Sequence, residues 1–116
     1  MNLSDMTKGY IAAALWSSCD DNDVPLDSNY SPGDIAPATR EEMWSDCRDF
    51  LKSFGADLVG MDSEQAGHDF WLTRNHHGAG FWDRGLGERG GRLTQACLPY
   101  GEYSLYIGDD GKVHGN

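Results

Sequence analysis

Apolar side chains recur at helical spacing twice in the first half of the chain and alternate over short runs in the second half. Met6, Tyr10, Ala13, Ala14 and Ser17 fall on one face, with Ile11 and Leu15 beside them, which predicts a helix over about Ser4–Ser18. Ser4-Asp5 supplies its N-cap and an acid in the first turn. Met43, Cys47, Phe50, Leu51, Phe54 and Leu58 recur at steps of three and four, the clearest amphipathic pattern in the chain. This predicts a second helix over about Pro37–Phe54, opened by Pro37 and stopped by Gly55. Between the two lies CDDNDVPLDSNYSPGD, a stretch of Asp, Asn, Ser and Pro that reads as a long acidic loop.

A short turn around Ala56–Met61 precedes Ser63-Glu64, which caps one more helical turn through Ala66. From His68 the pattern changes. In DFWLTRN, Phe70 and Leu72 alternate with Trp71 and Thr73, which predicts a strand. His77-Gly78-Ala79-Gly80 is turn chemistry, and Phe81-Trp82-Asp83 returns as a second strand. The two aromatic pairs would then face each other across a hairpin, with Arg74 and Arg84 bridging to Asp69 and Asp83. Arg89–Pro99 reads as a short helix. Ser104–Ile107 and Lys112–His114 read as strands around the Asp109-Asp110-Gly111 turn. The sum is α+β: two N-terminal helices packed on a small antiparallel sheet, with a further short helix between strands. A chain of 116 residues fits one domain, 1–116.

Charge changes this picture more than composition does. Thirteen acidic and four basic side chains lie in the first 64 residues, against six and five in the remainder, and the net charge is −10. A direct nucleic-acid partner is disfavoured, because such binding needs a basic footprint. A partner that is itself basic, such as a protein that normally holds nucleic acid, is favoured. The longest apolar run, Ile11–Trp16, is too short to span a bilayer, and the first residues lack the pattern of a secretory signal. Cys19, Cys47 and Cys97 are odd in number and widely spaced, which fits reduced thiols rather than a disulfide framework.

The stretch HDFWLTRNHHGAGFWDR, residues 68–84, concentrates His68, Asp69, His76, His77 and Asp83. It has no HExxH or Cys/His spacing, no P-loop Lys-Ser/Thr and no nameable nucleophile, so no metal or cofactor is expected there. The acidic loop does not match an EF-hand, since Pro25 and Leu26 fall where an acid and a glycine are required. The acids themselves form a second candidate. Glu42, Asp46 and Asp49 share one stripe of the second helix, and Glu41 precedes them. Asp20, Asp21, Asp23, Asp27 and Asp34 occupy the loop before it. Like charges at this spacing repel, and few Lys or Arg relieve them, so a binding role for this face is the alternative to a merely solvated surface.

The 68–84 block, YIGDDGKVHG (106–115) and ALWSSCDDNDVPLDSNYSPGDIAP (14–37) resemble a family of small acidic proteins of tailed bacteriophages, prophages and related mobile elements. His77 stands at the family's turn histidine, and His76 stands where a Gly is more usual. Some small acidic proteins of such elements are anti-CRISPR proteins that mimic DNA. The resemblance therefore implies a non-enzymatic inhibitor in the cytoplasm of a bacterial host, a monomer or weak dimer. Its nine acids, Asp20 to Asp49, would occlude the basic DNA-binding surface of a type I CRISPR effector complex. Two alternatives remain: a small metal- or nucleotide-dependent enzyme centred on His68, Asp69, His77 and Asp83, and an accessory module that binds a protein through the aromatic hairpin.

Overall fold

The computed structural model describes all residues, Met1–Asn116. Helix α1 spans Leu3–Ser17 and is capped by Asn2, whose side chain accepts from the Asp5 amide. The cap thus sits two residues before the one expected at Ser4. Helix α2 runs Pro37–Leu58 with Pro37 in its first turn. It does not stop at Gly55: the backbone kinks at Phe54 and one more turn follows, which buries Leu58. Helix α3 is Ser63–Arg74, opened by Asp62, whose carboxylate accepts from the Gln65 amide. Helix α4 is Glu88–Cys97. Strands β1, Leu105–Ile107, and β2, Val113–Gly115, pair antiparallel with Tyr106 opposite His114. The chain is mostly helical with this one small hairpin, an α+β arrangement.

Helix α1 lies against α3 so closely that side chains are excluded from the crossing. A Cβ on Gly9 would overlap the Glu64 carbonyl, and one on Gly67 would overlap the Met6 carbonyl. Around this crossing the aromatic core assembles. Phe50 of α2 stacks on Phe70 of α3 with centroids 4.2 Å apart, and Phe81 lies parallel to Phe50 at 5.9 Å. Tyr10 meets Trp71 edge-on at 5.3 Å. Met6, Ala13, Ala14, Met43, Cys47, Leu93 and Cys97 fill the remaining space.

Several expectations are corrected. Residues 70–73 belong to α3, not to a strand, and Phe81–Asp83 is a single 3-10 turn. There is consequently no hairpin in the 68–84 block and no aromatic ladder across one. Phe70 and Phe81 meet in the core through Phe50, while Trp82 is exposed. The reason lies in burial: from Phe70 to Arg74 every residue of α3 is buried. A helix covered on nearly all sides shows no polar face, so its pattern resembles a strand rich in aromatic and β-branched residues. The helix expected between strands precedes both, because β1 and β2 are consecutive. The N-terminal helices pack chiefly on helix, the sheet lying at one end of α2. No helix is long and apolar enough to cross a membrane.

Candidate functional site

The acidic loop is held by its own acids. Asp20 Oδ1 accepts from the amides of Asn22 (2.8 Å) and Val24 (3.0 Å), while the Asp20 amide donates to the Val24 carbonyl. Asp23 has φ +61, a left-handed conformation that an Asx-type turn tolerates. The Leu26 amide then donates to the Ser18 carbonyl, and the Leu26 side chain anchors the loop in the core. Further on, Asp34 accepts from the amide and hydroxyl of Ser31, closing a capping box. Asp20 and Asp34 therefore fix the loop. Asp21, Asp23 and Asp27 stand exposed on it and take no part in hydrogen bonds through their side chains.

The stripe on α2 is placed differently from a solvated row. Tyr103 Oη donates to Glu42 Oε2 (2.8 Å), Arg74 Nη1 donates to Asp46 Oδ2 (2.7 Å), and Tyr100 Oη donates to Asp49. Three carboxylates at helical spacing thus clasp the segment that leads into β1. Arg74 is their centre. It is 4% exposed, and its guanidinium also donates to Tyr10 Oη and to the carbonyls of Tyr100 and Gly101. It lies beside the rings of Phe70, Tyr100 and Tyr103. Burial, followed by the bonds to Asp49 and Glu42, holds the phenols of Tyr100 and Tyr103 above the ordinary tyrosine range. Glu42 and Asp49 remain exposed, and Asp46 is half-buried. Glu41 is also exposed, on the rim of a shallow groove with Ile11, Arg40 and Trp44. The loop and the stripe both border one stretch: the stripe at Tyr100–Tyr103, the loop along β1.

The imidazole-rich block does not gather into a reaction centre of the expected membership. Asp69 is fully buried and committed to Arg84, which reaches it through Nε (3.1 Å) and Nη2 (2.9 Å), and to Gln65. The pairing expected between Arg74 and Asp69 is replaced by Arg84–Asp69 and Arg74–Asp46. His68 lies under Trp16, its Nδ1 buried without a partner, and burial lowers its basicity. His76, at φ +61, is exposed near Glu102, and His77 and Asp83 are also exposed. No three His, Cys, Asp or Glu side chains lie close enough together to hold a metal ion.

Comparison with protein-family models, with curated proteins and with solved structures finds no match for this chain. The site therefore rests on its own geometry. Of the nine candidate acids, Asp46 alone meets a basic side chain. Sequence reasoning missed the clasp of Arg74, Tyr100 and Tyr103. The signal was a lone arginine inside the apolar run FWLTRN, since a buried guanidinium requires a carboxylate from elsewhere.

Proposed function

We propose that this protein is a non-catalytic inhibitor whose acidic half occupies a basic nucleic-acid-binding channel of a host protein. One observation carries the reading. No Lys or Arg occurs between Lys8 and Arg40, and Asp21, Asp23, Asp27, Glu41, Glu42 and Asp49 are exposed without a cationic partner. Tyrosine hydroxyls fix Glu42 and Asp49 in place by donating to them, so these carboxylates lose rotamer freedom. Preorganised anions of this kind bind with less ordering cost than mobile ones. The resemblance to mobile-element proteins directs the proposal to a type I CRISPR effector complex, whose duplex channel expects phosphates. Occlusion is then competitive: DNA and protein exclude each other from one basic surface.

The test is displacement of labelled target duplex from a purified type I effector complex, followed by fluorescence anisotropy. The protein displaces the duplex in a concentration-dependent manner at low salt and less well at high salt. The triple variant Asp21→Asn, Asp23→Asn, Asp27→Asn displaces it poorly while keeping the wild-type fold. An absence of displacement at low salt, or full displacement by the triple variant, overturns the proposal. The α2 stripe is unsuited to this test, because replacing Asp46 disturbs the Arg74 clasp as well as the surface.

A further inference from the structure

The two edges of the β1–β2 hairpin are treated differently. On the outer edge of β2, the Ala36 amide donates to the Val113 carbonyl (2.8 Å) and the Gly115 amide donates to Thr39 Oγ1 (3.0 Å). That edge is closed. On the inner side, Ser104 and Asn116 exchange both main-chain bonds, and the Gly108 amide donates to the Lys112 carbonyl. Antiparallel alternation then turns the main-chain groups of Tyr106 toward β2 and those of Leu105 and Ile107 away from it. No further strand pairs with β1 on that far side. An unpaired edge is a template for an added strand, and neither Pro nor Lys guards this one, although Leu105 itself is buried while Ile107 is partly exposed.

A groove of about 500 Å3 runs along the same edge. All three residues of β1 border it and none of β2, and its opposite bank is Cys19–Asn22 with Tyr30. The bank carries the Asp20 and Asp21 carboxylates. Asp20 has one oxygen committed to the loop, and Asp21 has none. Tyr30 and Tyr106 add two phenol rings, the second stacked on His114 at 5.7 Å. No Lys or Arg borders the groove. Carboxylates beside aromatic faces attract ammonium and guanidinium groups.

We propose that this edge and groove bind an extended, Lys- or Arg-bearing segment of a partner protein as an added strand. Main-chain bonds to Leu105 and Ile107 set its register, and alternate side chains reach Asp20, Asp21 and the two rings. A second copy of this chain fits poorly, because it brings a net charge of −10 and its own β1 has no cation. The site uses two residues of the acidic loop but does not depend on occlusion of a nucleic-acid channel.

The probe is a synthetic hexapeptide alternating Val and Arg, titrated into the isotope-labelled full chain and followed by amide NMR. The amides of Leu105 and Ile107 shift saturably and gain protection from solvent exchange. Asp21→Asn weakens binding about two- to five-fold, the range of one exposed ion pair. Ile107→Pro abolishes it, because proline removes an outward amide at a position that makes no ladder bond to β2. A peptide N-methylated on alternate amides provides the same test on the unaltered protein, and it does not bind. Shifts confined to other surfaces, or binding that survives N-methylation, overturn the proposal. The titration contains no effector complex, so its failure removes the edge site alone, whereas failed DNA displacement removes the occlusion alone.

Discussion

Arg74 shows how one side chain organises the acids around it. Its guanidinium is buried and its charge is balanced by Asp46, while Tyr10 Oη and the carbonyls of Tyr100 and Gly101 accept three further bonds from it. Asp46→Asn removes the only anion in that set. It is expected to cost roughly 1–3 kcal/mol, below the full cost of breaking a buried pair because Asp46 is itself partly exposed. Asp21→Asn, at an exposed position without partners, should stay within about 0.5 kcal/mol of wild type. Urea unfolding midpoints distinguish the two. The surrounding phenols add a pH dependence. Tyr10, Tyr100 and Tyr103 are all raised by burial above the ordinary tyrosine value of about 10. Their contribution is therefore complete below that pH and is lost as pH climbs past it, where the unfolded chain ionises first. The phenolate absorbance of these three should rise together with loss of far-UV circular dichroism; three early, non-cooperative titrations would contradict the clasp.

At the scale of elements, the contact between α1 and α3 decides stability. Gly67→Ala forces a methyl into the Met6 carbonyl and is expected to cost about 3 kcal/mol. Gly91→Ala, on the open face of α4, should instead stabilise by about 0.5–1 kcal/mol through helix propensity. Thermal unfolding of the two variants reads opposite signs. The same contrast explains what the sequence disclosed. Helices α1, α2 and α4 each show apolar residues on one face, and the Asp109–Gly111 turn marks the hairpin, so these elements were legible within a few residues. Of helix α3 only the first turn, Ser63 to Ala66, was legible; its continuation was not, because Phe70–Arg74 is covered on every side and the polar face that betrays a helix is missing. The spacing of Glu42, Asp46 and Asp49 correctly put them on one face. Periodicity alone says nothing of the tyrosines and arginine that approach that face from residues 74–103.

Over the whole molecule, the charge is unevenly held. Basic side chains and histidines pair with Asp46, Asp57, Asp69, Glu102 and Asp110, leaving the loop and the outer half of α2 without cationic partners. Such a surface guides a basic partner in from a distance, and ionic strength weakens that guidance before it weakens short-range contacts. The most direct measurement is the association rate with a type I effector complex, taken by stopped flow across a series of salt concentrations. The account predicts a rate that falls steeply with salt. It also predicts about a tenfold or greater loss at low salt for the Asp21→Asn, Asp23→Asn, Asp27→Asn variant. A rate indifferent both to salt and to those three substitutions would contradict it.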